Sequence, residues 1–364
     1  MTDDLNYDCI DEITWPLTKR RPHRAASMMG GSRRWRAQTG RAPTDFLSAR
    51  HAGSFMQRRY GTTDVFTDRA FGGNPLAVVL DAEGLTTSQM QAIATEFNYS
   101  ETTFVLPPRQ VGHTAHVRIF TPRVEVPFAG HPNIGTAVVL AQDLEASGRA
   151  PVNCFVFEEL AGLVPIVLIR DTEQVVGAEL TPPEALSIRS SVSLDDAATC
   201  LSLPSSEIVD SNHPPQVASV GLPFLVVEVA SRDALRRAKP NLAAHERILP
   251  PIGTDAVFAY VRGKAADTLS ARCFAPLDAC LEDPATGSAT AATIGLLTSL
   301  QPERDVELTW RVEQGVDMGR PSLLLGRTEK RDGVVVALHI GGHAVPVMRG
   351  TLHVPPNAIV RSLL

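Results

Sequence analysis

Aromatic residues make up only 5% of this 364-residue chain, and no aromatic-plus-basic stripe marks a groove for single-stranded nucleic acid. Positive charge is scarce as well: 34 Lys and Arg face 40 Asp and Glu, a net charge of −6 that draws in no polyanion. Nucleic acid is therefore not an expected partner. Long apolar runs are missing too, the best being Leu76 to Leu80 and Leu163 to Ile169. These are strand-sized, well short of the roughly 20 residues of a spanning helix, so no membrane partner is expected. Cysteine is sparse and odd in number: Cys9, Cys154, Cys200, Cys273 and Cys280 show no Cys-x-x-Cys spacing. That fits reduced, mostly buried thiols and a cytoplasmic location better than a disulfide framework. No Gly-x-Gly-x-x-Gly follows a strand, no phosphate loop is present, and no Lys sits in a Schiff-base setting. No cofactor is expected, and the chemistry must come from side chains.

What remains is ordinary globular composition, 44% hydrophobic and 20% charged, with length enough for two cores. Residues 1–55 differ: an acidic start precedes an Arg-, Gly- and Ser-rich stretch without apolar periodicity, which predicts a disordered extension. Arg20-Arg21 is followed by no apolar segment, so no export or transit signal is expected; a natural start at Met56 is the alternative reading. From Asp64 onward short strand candidates recur, at 65–67, 76–80, 102–106, 116–120, 154–158 and 162–169, punctuated by turn residues. Helical periodicity covers Thr87 to Phe97, opened by a Thr cap, and His131 to Leu144. After Thr181-Pro-Pro183 the order repeats, with strands at 224–229 and 256–261, a helix at 286–297 and further strands to His353. Two sister domains are expected, 56–183 (joined by 350–364) and 184–349. Both repeat helices carry small and apolar residues on nearly every face, so each should lie buried inside a curled, mostly antiparallel sheet, an α+β architecture.

The repeat is sharpest at the two helix starts, Phe128-Ala-Gly-His-Pro-Asn-Ile-Gly-Thr-Ala137 and Asp283-Pro-Ala-Thr-Gly-Ser-Ala-Thr-Ala-Ala292. Each places Gly, a polar side chain and unpaired N–H groups where a helix begins, and two such ends facing each other would hold a small carboxylate. Glu101 heads an apolar strand, where partial withdrawal from water would raise its pKa toward that of a proton shuttle; a solvated edge Glu is the plain reading. His131 either points from its helix end toward a ligand or caps its own helix. Asp283 and Ser288 are favoured capping residues as well as candidate ligand contacts. His113 and His116 fall on opposite strand faces, so no metal site is expected there.

Phe71-Gly-Gly-Asn-Pro-Leu-Ala-Val-Val, Ser100-Glu-Thr-Thr-Phe-Val, Phe128-Ala-Gly-His-Pro, Glu282-Asp-Pro-Ala-Thr-Gly-Ser-Ala and Glu313-Gln-Gly-Val-Asp-Met-Gly-Arg-Pro-Ser together resemble the phenazine biosynthesis PhzF-like family. Five ordered motifs over roughly 250 residues make the resemblance specific. It implies a diaminopimelate epimerase-like fold of two pseudo-symmetric halves, a site in the cleft between them, and a homodimer. It implies Glu101 as catalytic acid/base, His131 and Asp283 as its catalytic partners, and Gly130, Asn133, Gly287 and Ser288 as contacts to a small anionic carboxylic acid. Asn133 stands where Thr is frequent, and Ala289-Thr290 where Ala-His is common, so substrate contacts should differ. Racemases of this fold carry a cysteine at each helix start; here those places read Ala129 and Pro284. The expected activity is a cofactor-independent isomerase shifting a proton on a small carboxylic or amino acid. An amino-acid racemase or epimerase and a non-catalytic binding protein are the alternatives.

Overall fold

The computed structural model describes residues 55–356, Ala279 excepted. The expectations for residues 1–54, Cys9 included, and for residues 357–364 lie outside the described residues. Alternating burial builds the strands, as in Val306–Gln314, where Trp310, Val312 and Gln314 face inward and Arg311 and Glu313 outward. In the first half the strands are β1 (Met56–Val65), β2 (Asn74–Val79), β3 (Glu101–Leu106), β4 (Ala115–Phe120) and the two-residue β5 (Glu125–Val126). Then come β6 (Cys154–Glu159), β7 (Gly162–Asp171) and β8 (Gln174–Leu180), with helices α1 (Thr87–Phe97) and α2 (Gly130–Ala146) between.

The second half repeats the plan. Its strands are β9 (Ser187–Ser191), β10 (Ile208–Val209), β11 (Gln216–Ser219), β12 (Pro223–Val229), β13 (Val257–Arg262) and β14 (Thr268–Ala275). β15 (Cys280–Asp283), β16 (Val306–Gln314), β17 (Ser322–Arg331) and β18 (Val334–Val354) complete it, with α6 (Gly287–Ser299) at the place of α2. Three short helices, α3 (Leu194–Leu201), α4 (Arg232–Arg237) and α5 (Leu242–Ile248), pack an accessory apolar cluster with Leu225, Val227 and Phe274.

The expected α+β architecture of two pseudo-symmetric halves is what forms. In the first half the pairings run β18–β1–β2–β3–β4–β6–β7–β8 and return to β18, a closed barrel around α2. In the second, β9–β11–β12–β13–β14–β16–β17–β18 curl around α6. The long β18 serves both: Val334 to Gly341 pairs with β17, and Ala344 to Val354 with β1. α2 and α6 are apolar almost all round and buried over 130–141 and 287–298, which is why each sits at a barrel axis and not on a surface. One continuous core holds both helices. Among the described residues no helix is long and apolar enough to cross a membrane.

Candidate active site

The two central helices meet head to head. A Cβ on Gly130 would stand 3.4 Å from the Gly287 Cα and 3.5 Å from the Ser288 nitrogen, so glycine at both starts lets the backbones approach. Neither start carries a side-chain cap: α2 opens at Ala129 and α6 at Thr286 without a capping bond. Self-capping by His131, and capping of α6 by Asp283 or Ser288, are thus not what the residues do. Two helix ends keep their positive potential turned toward one place.

Around these ends the acid groups gather. Parallel pairing of β2 with β3 sets Leu76 against Glu101, which brings Asn74, Ser100 and Glu101 to the same rim as the start of α2. Glu101 Oε2 lies 3.4 Å from His131 Nε2, and both atoms are sealed from solvent without a hydrogen bond, although 18% of the Glu101 side chain stays accessible. Burial pushes the Glu101 carboxyl up to about 8, with the nearby Asp283 and Asp278 charges adding to the rise. Burial alone brings the His131 imidazole down to about 3. Both groups are neutral at pH 7, so the contact is not an ion pair.

Asp283 ends β15 and reaches across from the second half. Its Oδ1 accepts from Asn74 Nδ2 at 2.8 Å and from Ser100 Oγ at 3.3 Å, and its Oδ2 accepts from Thr286 Oγ1 at 2.6 Å. Burial raises its pKa to about 6, held back by those three donors, so it is mostly ionised at pH 7 while Glu101 keeps its proton. The Asp283 charge in turn helps to keep the proton on Glu101, so the two carboxyls titrate apart. Gln314, fully enclosed at the end of β16, fixes the turn between Asp283 and α6: its Oε1 accepts from the Thr286 N–H, and its Nε2 donates to the Asp283 carbonyl and to Thr286 Oγ1.

The structure thus brings Glu101, His131 and Asp283 together, with Gly130, Gly287 and Ser288 at the facing helix starts. Asn133 stands apart from this group: fully buried, it turns its amide back to the Ala129 carbonyl at 3.1 Å and leaves Oδ1 unpaired. Cys273, which pairs with Asp283 across β14 and β15, is buried and its thiol is pushed well up, so it carries no thiolate.

Sequence reasoning missed Asn74, Ser100, Thr286 and Gln314 as members of the site, and it missed Glu159. Strand register makes Glu159 the counterpart of Gln314: His116 pairs with Glu158 and Ser270 with Glu313, and each pair is followed by the last residue of its strand. The signal was the adjacent pair Glu158-Glu159, since alternation obliges one of two neighbours on a strand to face inward. Both Glu159 oxygens are buried without hydrogen bonds, and burial lifts its pKa to about 8, the nearby Asn133 amide offsetting part of the rise. A folded pKa above the ordinary value of 4.5 means that the acid's contribution is whole below about 4.5 and is lost as pH climbs through about 8. Glu159→Gln, which copies the sister residue, should therefore melt above the parent protein at pH 8. A gain of about 2 kcal/mol, roughly 5 °C, is expected, closing by pH 5 in matched thermal scans.

Residues 63–350 match the family model described as phenazine biosynthesis-like protein. An uncharacterised isomerase of Mesorhizobium japonicum is 38% identical over 305 residues, 82% of this chain and 99% of that protein. Trans-2,3-dihydro-3-hydroxyanthranilate isomerase of Pseudomonas chlororaphis is 34% identical over 296 residues, 80% of this chain and 98% of the relative. Among solved structures, a phenazine biosynthesis protein of the PhzF family from Bacillus anthracis superposes with a TM-score of 0.71 at 24% identity, covering 82% of this chain and 99% of that one. A hydroxyproline epimerase from Agrobacterium vitis shares the fold at a TM-score of 0.54 and 12% identity, covering 83% of this chain and 94% of that one. With a match across most of its length and isomerases among its relatives, this chain is an enzyme of the phenazine biosynthesis-like protein family.

Proposed function

We propose that this chain is a cofactor-independent isomerase that moves a proton on a small carboxylic acid held between the starts of α2 and α6, with Glu101 taking up and returning the proton. One observation carries the reading: a carboxylic acid with a sealed oxygen stands beside two uncapped helix N-termini in contact with each other. The substrate carboxylate is to lie against the free N–H groups at Gly130, Gly287 and Ser288, where negative charge is favoured and close approach is sterically open. Ionised Glu101 removes a proton from carbon and becomes the neutral acid. The electron pair spreads toward the substrate carboxylate, where the helix ends meet the developing charge, and the same proton returns at a second carbon. The substrate named for the Pseudomonas relatives, trans-2,3-dihydro-3-hydroxyanthranilate, has this chemistry: a ring, a carboxylate and a double-bond system along which a proton can shift.

A single shuttling acid serves one face of a carbon, which favours a positional shift over inversion, since Ala129 and Pro284 stand where a racemase would carry two thiols. A panel of cyclic and acyclic carboxylic and amino acids, that dihydro-hydroxyanthranilate among them, separates the readings by product NMR and chiral analysis. A shifted double bond at retained configuration is expected. Inversion at one carbon without a shift would assign an epimerase, and tight binding without turnover of any member would remove the enzymatic proposal.

A further inference from the structure

We propose that Asn74 is a positioning residue that fixes His131 as the Nε2–H tautomer, so that the ring offers Glu101 a hydrogen-bond donor and cannot act as a base toward it. The Ala285 carbonyl can only accept a hydrogen bond. Asn74 lies against it at 3.0 Å through Nδ2, which settles the amide orientation; the reverse orientation would oppose two oxygens there and again at Asp283 Oδ1. Consistently, Asn74 Oδ1 in this orientation is an acceptor 3.3 Å from Ser100 Oγ, whose one proton is shared between it and Asp283 Oδ1. The same Nδ2 stands 3.4 Å from His131 Nδ1. Two N–H groups do not face each other, so Nδ1 presents its lone pair and the ring proton sits on Nε2, the atom that faces Glu101 Oε2.

Three acceptors share the two Asn74 hydrogens, which accounts for the longest of the contacts being the one to the imidazole. Asn74 is itself fully buried, so no water competes for the role. Donation diverges from Asn74: its amide hydrogens go to the Ala285 carbonyl and Asp283 of the second half and to His131 Nδ1, and the imidazole passes the donor polarity on through Nε2 to Glu101. When Glu101 is ionised, Nε2–H steadies its Oε2. When Glu101 is protonated, Nε2–H meets the carbonyl-type oxygen, and the acidic O–H is left on Oε1, the oxygen not sealed against His131. Because Asn74 belongs to the first half and Ala285 and Asp283 to the second, the tautomer is set only when the halves are together.

The structural part stands without a substrate; its catalytic consequence rests on the proposed function. Long-range proton–nitrogen correlation NMR of the intact protein labelled with ¹⁵N-histidine reads the tautomer directly, the His131 signal being identified by its loss in His131→Gln. At pH 7 the parent protein should show the proton on Nε2 and a bare Nδ1, and Asn74→Asp should move the proton to Nδ1, because a carboxylate there accepts where the amide donated. Asn74→Ala should leave a mixture, with kcat on any turned-over acid down at least about tenfold and the fold retained. A parent spectrum with the proton on Nδ1 overturns the proposal even if neither variant folds. So does an Asn74→Asp spectrum identical to the parent's. Turnover failing while the Nε2–H signal is present would sink the isomerase reading and leave the tautomer assignment intact.

Discussion

Glu101→Gln is expected to lower kcat/KM by about a thousandfold or more while leaving the melting temperature unchanged or raised. General acid–base groups contribute roughly 10²- to 10⁴-fold, and here no second base is placed to substitute: His131 is neutral with its donor side toward Glu101, and Asp283 is occupied by three donors. Gln preserves the shape of the neutral acid, so a buried group with a pKa near 8 is replaced by one that never has to ionise. The pH dependence gives a second signature. Proton abstraction starts from the carboxylate, so kcat/KM of the parent enzyme should climb about tenfold per pH unit below about 8 and flatten above it, and the residual rate of Glu101→Gln should lack that limb. A profile flat from pH 5 to 9 would exclude Glu101 as the base.

Arg320→Ala is expected to cost stability on the scale of 3–5 kcal/mol, read as a fall of roughly 10 °C in the melting temperature. Arg320, from the loop before β17, reaches back to the loop before β2. Its Nη2 donates to Asp64 Oδ1 at 2.6 Å and to the Gly72 carbonyl at 2.7 Å, while its Nε donates to the Gly73 carbonyl at 2.8 Å. Asp64 is 6% exposed and also accepts from the Phe71 N–H at 2.6 Å. The turn they hold is tight: Gly73 has φ +63° and a Cβ there would fall 2.2 Å from the Val65 carbonyl oxygen, so only glycine fits. Removing the guanidinium strands a buried carboxylate beside two carbonyls, which is worse than losing both charges. Asp64→Asn combined with Arg320→Met should therefore recover part of the loss. Since Gly73 is followed by Asn74, the single variant should also disturb the site, and equal melting temperatures for Arg320→Ala and the parent would remove this account of the loop.

Much of this was legible in the chain because the signals were local. A helix apolar on nearly every side, as at Asn133 to Leu140 and Ala289 to Leu297, declares a barrel axis, whereas Glu101 at the head of an apolar strand was singled out by the motif around it and not by its position alone. The helix α1 came through for the same reason, its Thr86 and Gln89 forming a capping box directly before an apolar stripe. The helices α3, α4 and α5 did not, being only 8, 6 and 7 residues long, too short for a helical period to show, although Ser193, Ser231 and Asn241 mark their starts. The clamps around the site were illegible for a different reason. Asn74 meets Asp283 across 209 positions, and Arg320 meets Gly73 across 247, so nothing near either residue tells of its partner. The register that sets Met56 against Val354 and Val65 against Ala344 is of the same kind, since only the folded sheet reveals which residues of β18 meet β1.

The central claim is that one proton, carried by Glu101, leaves and re-enters the substrate between the two helix starts. Its most direct test is the deuterium content of product formed in D2O from an acid that the parent enzyme turns over, measured beside Glu101→Gln at equal protein concentration. The account predicts product labelled at the carbon that receives the proton, less than fully wherever the carried proton returns before exchanging, and no labelled product above background from the variant. Undiminished turnover and labelling by Glu101→Gln would contradict it.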